Sequence, residues 1–443
     1  MPLKLFVVYA LGLFLGFALG SPYAHQNGLT VQTSSGKLHG FMNSTSPRTR
    51  QFLGIQYAKS PVGNLRFRPP VKHTSSRGLS ATKLGPTCMQ DPQNSGFVLY
   101  RSMGMGAFLP SEADVFSEDC LYLNVYAPTK RSATKLPVGV WIHGGGFAIC
   151  GASVPYQIPD QWVSRTQSHI VVTLNYRLKI FGYPNSAMGT ENVGLLDQRM
   201  AIEWVRDNIE SFGGDPSRIV LWGQSAGAFS VNYYSMAYPT DPIAYGFISD
   251  SGGDFPSEED TSHGNFSAVA AQVGCGGLDA RSEFKCVQKA NATDLVRTVD
   301  SLAAQFVPQA DNKTVFADPE NRIRRVFRPR LDVGIPIYRY VYAGNFSNIT
   351  PLPQLGAAHS AELPLIFGTH YQFHQNSTQF EYEVSWAMQD LWLSFITNPQ
   401  RAPRTAKYNW PKLETADGNV AAFALDGTTV QSFPKAQLLI CAS

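Results

Sequence analysis

The apolar run Arg218-Ile219-Val220-Leu221-Trp222 leads into Gly223-Gln224-Ser225-Ala226-Gly227, and the chain continues as Ala228-Phe229-Ser230-Val231. That order reads as strand, sharp turn and helix. Glycine lacks a Cβ, so Gly223 and Gly227 are expected to let the backbone turn around a serine held in a strained conformation at the end of a sheet. Ser225 is therefore a candidate nucleophile. A G-x-S-x-G string also occurs as an ordinary glycine-flanked turn, and only the strand before it and the helix after it favour the catalytic reading.

A second element supplies what such a serine needs. Pro137-Val138-Gly139-Val140-Trp141-Ile142 is another buried-strand pattern and runs into His143-Gly144-Gly145-Gly146-Phe147. Three consecutive glycines expose backbone N–H groups, which in acyl transfer stabilise the oxyanion of a tetrahedral intermediate. The loss of one such donor costs about 3 to 4 kcal/mol. Gly145, Gly146 and the N–H of Ala226, at the start of the following helix, are the candidate donors. A phosphate-binding loop would need G-K-[ST] or G-x-G-x-x-G spacing, which the sequence lacks here.

With these motifs the chain resembles the type-B carboxylesterase and lipase family, which includes cholinesterases and secreted fungal lipases. Glu118-Asp119-Cys120-Leu121-Tyr122-Leu123-Asn124-Val125, His143 to Phe147 and Gly223 to Ala228 carry the resemblance. Asn175-Tyr176-Arg177-Leu178 and the stretch from Asn192 to Pro216 extend it. It implies an α/β-hydrolase fold, with a mostly parallel central sheet and helices on both faces, acting on small-molecule or lipid esters through an acyl-enzyme. By the same resemblance His359, in Gly356-Ala357-Ala358-His359-Ser360-Ala361-Glu362, is the general base, and Glu362 is a structural carboxylate. Cys88 would pair with Cys120 and Cys275 with Cys286. The 88–120 loop, rich in apolar residues and glycine, would form either a lid that contacts a lipid interface or a static packed loop.

The acid of the triad is missing from the pattern. Family members continue after Glu320-Asn321-Arg322 to a strand ending in a glycine-flanked glutamate, whereas this chain passes through Arg325-Val326 to the strand pattern Ile335 to Tyr342. A sheet lacking one strand is the expectation. Unpaired, buried backbone groups cost about 1 to 3 kcal/mol each. Either the strand from Ile335 slides over to close the sheet, or the chain is a shortened copy of a longer enzyme, the reading we favour. Asp250, at the end of the strand pattern Tyr245 to Asp250, is a candidate replacement acid; the plainer reading is a polar residue capping a strand. A non-catalytic protein of the same fold is the rival functional reading.

The remaining features fit export. Residues 1–20, with Lys4, the apolar run Leu5 to Leu19 and small residues before Ser21, read as a signal peptide, leaving 21–443 as one hydrolase domain. Asn43, Asn265, Asn291, Asn312, Asn345, Asn348 and Asn376 each open an Asn-x-Ser/Thr acceptor. Of the 6 cysteines, Cys150 is expected as a buried free thiol and Cys441 has no evident partner. No metal-ligand spacing is found and no cofactor is implied. A formal net charge of +3 without basic–aromatic clustering argues against a nucleic-acid site. Leu195 to Phe212 has a helical stripe through Leu196, Met200, Trp204, Val205 and Ile209. Leu29 to Phe41 reads as a hairpin and Leu121 to Tyr126 as a strand, both in the sheet's antiparallel beginning.

Overall fold

The computed structural model describes residues 28–93, 95–111, 113–130, 132–188, 192–252, 262–318, 336–414 and 418–434. The expected signal peptide, the Arg325–Val326 junction and Cys441 lie outside these residues. Six strands make the central sheet: β1 (Thr49–Gln56), β2 (Tyr122–Pro128), β3 (Leu136–Ile142), β4 (Ile170–Leu174), β5 (Gly214–Gln224) and β6 (Ala244–Asp250), in the order β6-β5-β3-β4-β2-β1. β6, β5, β3 and β4 run parallel, while β2 is antiparallel to both β4 and β1.

Period-2 alternation sends successive side chains to opposite faces. Ile219 and Leu221 of β5 enter one core with Ile202, Trp204 and Val205 of helix α1 (Val193–Asn208) and Val231 of α2 (Ala226–Ala237). Val220 and Trp222 enter the other, with Leu365 of α3 (Leu363–Phe367) and Leu391, Trp392 and Ile396 of α4 (Gln379–Thr397). β3, β4 and the second half of β5 are buried on both sides, so they read in sequence as near-continuous apolar runs, while β6 is only partly covered.

Two expectations need correction. The N-terminal hairpin, Thr30–Thr33 and Gly36–His39, does not join the central sheet: its second strand pairs with Gly78–Ser80 in a separate three-stranded sheet. The buried stripe of α1 is also broader than expected. Leu195, Ala201 and Ile202 are buried while Leu196 and Met200 are only half-buried, and the helix tightens into a 3-10 turn over Ile209–Phe212 before Gly213 (φ 95°) ends it.

Among the described residues the central sheet ends at β6. β7 (Tyr340–Tyr342) does not slide over to β6; it pairs with β8 (Asn419–Leu425), which pairs with β9 (Thr428–Pro434), as a separate sheet. β6 is left as the outer strand. Between it and the segment Pro336 to Tyr340 runs a groove of about 420 Å³ walled by Tyr338, Tyr340, Trp392, Phe395 and Trp410. The gap lies where one further parallel strand is expected.

Disulfides join Cys88 to Cys120 and Cys275 to Cys286, as the resemblance implies, and Cys150 is a free, buried thiol. Six of the seven glycosylation acceptors are not buried, but Asn348 is. Its amide donates to His370 O at 3.1 Å and to Ser377 Oγ at 2.9 Å, so no glycan fits on it in the folded chain.

Candidate active site

Ser225 sits between the end of β5 and the start of α2 with φ 55° and ψ −121°. A non-glycine residue held at positive φ is strained, and such strain persists only where the surroundings impose it. Here the backbone N–H of Ser225 donates to Asp250 O at 2.9 Å, pinning the turn to the end of β6. The flanking glycines have a different role from the one the sequence suggested. Neither takes positive φ. A Cβ on Gly223 would lie 2.4 Å from the Gly227 backbone, and one on Gly227 only 2.0 Å from Ile142 O. Close passage of α2 against β5 and β3, not turn freedom, is what demands glycine at both positions.

The loop after β3 folds into a tight turn through Gly145 (φ 98°) and Gly146 (φ 63°). Gly145 O accepts N–H bonds from Ala148 and Ile149, both at 3.0 Å. A Cβ on Gly145 would meet Ile149 O at 2.3 Å. His143 is buried beneath the turn, stacked on Tyr176 with ring centroids 4.4 Å apart. Its carbonyl accepts from the Tyr176 hydroxyl at 2.9 Å. Burial brings its pKa down to about 4, so it is a neutral support of the loop near pH 7.

His359 lies on the segment before α3 with part of its surface exposed, and partial desolvation lowers its pKa below the usual histidine range. A neutral imidazole is the form a general base requires. Ser225, His359, Gly145 and Gly146 line one cavity of about 200 Å³, together with Tyr100, Phe108, Leu109, Ile149, Cys150, Gln157 and Gln224. The 88–120 loop thus forms one wall. It is anchored by Gln90, which donates to Cys150 O at 2.8 Å and accepts from Cys150 N–H at 2.9 Å. Burial pushes the Cys150 thiol up to about 12.

No carboxylate is hydrogen-bonded to the His359 ring among the described residues. The Gln224 amide lies 3.0 Å from its Nε2 instead. Asp250 is directed elsewhere: its Oδ2 accepts from Trp222 Nε1 at 2.5 Å, and Oδ1 has no hydrogen-bond partner. Burial pushes Asp250 up to about 7. Glu362, buried near it, rises to about 8, first through burial and then through the neighbouring Asp250. Two buried carboxyls with no facing cation among the described residues thus lie close together, Asp250 on the wall of the groove beside β6.

Other motif residues bind the frame together. Arg66 forks onto Glu118 with two contacts of 2.6 Å, and Arg177 onto Asp197 with contacts of 2.8 and 2.7 Å. Asn175 accepts from Ala152 N–H at 2.8 Å and donates to Pro86 O at 2.9 Å. Sequence reasoning missed Gln224 and Gln157. Gln224 was the variable position of a motif read for its serine; Gln157 lies in a stretch with no motif at all.

A nucleophile turn at the end of a doubly covered parallel strand, facing a glycine turn at the end of its neighbour, defines an α/β hydrolase. The sequence profile of the Carboxylesterase family matches residues 27–335 and 327–440, and the chain belongs to that family. It is an ester-cleaving hydrolase. Chlorogenic acid esterase of Aspergillus niger is 41% identical over 474 residues, covering 91% of this chain and 92% of the relative. Secreted lipase 5 of Gibberella zeae is 35% identical over 502 residues, 93% of each. Lipase 2 of Geotrichum candidum is 35% identical over 324 residues, 66% of this chain and 55% of its own. The first two alignments are longer than the 443 residues of this chain, so those relatives carry residues with no counterpart here. The family match comes as two segments that overlap at 327–335.

Proposed function

We propose that Ser225 is the nucleophile and His359 its base in hydrolysis through an acyl-enzyme. Ser225 Oγ attacks the ester carbonyl as His359 takes its proton. The N–H groups of Gly145, Gly146 and Ala226 hold the oxyanion. His359 then returns the proton to the leaving alcohol, and water repeats the sequence to release the acid. The observation that carries this reading is the strained Ser225 turn, on one cavity with His359 and the Gly145–Gly146 turn. A fluorophosphonate probe tests it: labelling that Ser225→Ala or His359→Ala abolishes supports the assignment, and labelling of another residue overturns it.

A second reading, an enzyme of sharply reduced turnover, is favoured by Gln224 standing at the His359 ring where a carboxylate is needed. Loss of that acid typically lowers kcat by about four orders of magnitude. Asp250 would have to leave Trp222 to serve. A fall of that size in the labelling rate of Asp250→Asn would put it in the triad, and an unchanged rate would make it a strand cap.

The names of the relatives offer aromatic and lipid esters as substrates. A cavity of about 200 Å³ favours a compact acyl group over a long fatty chain. Export is supported by the apolar N-terminal run, the glycosylation acceptors and a relative named as secreted. No helix among the described residues is long and apolar enough to cross a membrane. The disulfide loop at the cavity wall would act as a lid, opening at an oil–water interface.

A further inference from the structure

Gln157 ends a 3-10 turn, Pro155–Gln157, and is 6% exposed. Its Oε1 accepts from Trp141 Nε1, buried in β3, at 3.0 Å. An indole N–H only donates, so this bond fixes which end of the amide is which. The NH₂ end is left over. It makes no hydrogen bond within the described residues, and it is not sealed in the core, because the residue lines the cavity that holds Ser225. A buried side chain with one end locked and the other presenting donors to a cavity is arranged to meet an acceptor.

The walls say what carries that acceptor. Tyr100 and Phe108 face the same space, and Phe108 is held edge-on by Tyr156, with ring centroids 4.7 Å apart. Ring-lined walls favour offset or edge contacts with another ring. An apolar cavity of about 150 Å³ suffices for benzene, and the 200 Å³ here admits one ring with a small substituent. Pockets that take drug-sized molecules whole are larger, about 300 to 1,000 Å³.

We infer that Gln157 is a specificity-determining residue: its Nε2 donates to an oxygen on the ring of an aromatic acyl group held between Tyr100 and Phe108. The substrate class is esters of oxygen-substituted aromatic acids. The inference rests on the ester-hydrolase reading of the cavity but not on turnover.

Binding of carboxamides, which stand in for the ester without rapid cleavage, tests it independently of catalysis. Cinnamamide and 4-methoxycinnamamide are titrated calorimetrically into the full chain; an ether oxygen can only accept, so it reports on the donor. The methoxy compound is expected to bind about fivefold tighter, the effect of one hydrogen bond. Gln157→Glu keeps an acceptor for Trp141 and removes the donor, and Gln157→Leu removes both. Each is expected to equalise the two ligands, and the first guards against a variant that loses its fold. Equal binding to the unaltered chain, a preference that survives both substitutions, or no binding of either amide overturns the inference. Failure of fluorophosphonate to label Ser225 while the methoxy preference holds would sink the catalytic assignment and leave this one standing.

Discussion

Inserting between Arg325 and Val326 the stretch of the Aspergillus niger relative that has no counterpart here is expected to raise stability and turnover together. β6 offers its outer edge over Ala244–Asp250, and the groove beside it is about 420 Å³. A parallel strand seated there would form on the order of five backbone hydrogen bonds at about 1 kcal/mol net each. With an unfolding entropy of roughly 2.1 cal/mol/K per residue, a chain of this length gains about 5 °C in Tm from 5 kcal/mol. That is an upper figure, because the inserted residues must themselves be ordered. If the stretch brings the family's glutamate to His359, kcat should rise by about 10⁴. Calorimetry and hydrolysis of a chromogenic aromatic ester read the two effects separately, and a second insertion with that glutamate changed to glutamine should keep the first and lose the second. A Tm that stays constant or falls would refute the seating of a strand on β6. A higher Tm without faster hydrolysis would refute the idea that the block carries the acid.

Three further outcomes follow from the geometry. Asp250 and Glu362 have folded pKa values raised to about 7 and 8, so their contribution is fully present below about pH 4 and is lost as pH rises through 7 to 8. Asp250→Asn should therefore flatten the fall in unfolding free energy between pH 4 and 7, by on the order of 3 to 4 kcal/mol; superimposable profiles would contradict the burial argument. Gly145→Ala, at φ 98° with Ile149 O 2.3 Å from the added Cβ, should lower kcat about 10² to 10³-fold by displacing an oxyanion donor, and unaltered kinetics would remove that turn from the mechanism. Replacing Cys88 and Cys120 by serine should cost roughly 4 kcal/mol in the chain-entropy estimate and loosen the cavity wall. A steeper rise in rate at an oil–water interface would mark the loop as a lid, and equal rates above and below substrate solubility would mark it as fixed.

The parts legible in the sequence are those in which backbone geometry restricts residue choice. Ser225 with its two glycines, the Gly144–Gly146 run and the apolar strands were readable because strained turns, exposed N–H groups and doubly buried strands each admit few residue types. Even there the reason differed from the reading, since Gly223 and Gly227 answer to the closeness of α2 rather than to turning. The hairpin is legible in the sequence but its sheet is not, because alternation fixes a strand's faces and says nothing about which distant edge it meets; Gly78–Ser80 is the neighbour of Gly36–His39 through tertiary contact alone.

Glutamines are invisible to such reading for a related cause. An amide carries donors and acceptors at once, so its role depends on which end a neighbour occupies. Trp141 occupies the Oε1 of Gln157, and the cavity receives the remaining donors. Gln224 likewise stands at the His359 ring only in a fold that brings β5 and the segment before α3 together. Asp250 completes the argument. As the last residue of an edge strand it would ordinarily reach solvent, but Trp222, Tyr340 and Trp392 enclose it while β7 stays with β8. The side-chain layers have closed over the end of β6, leaving a buried carboxyl oxygen with no hydrogen-bond partner.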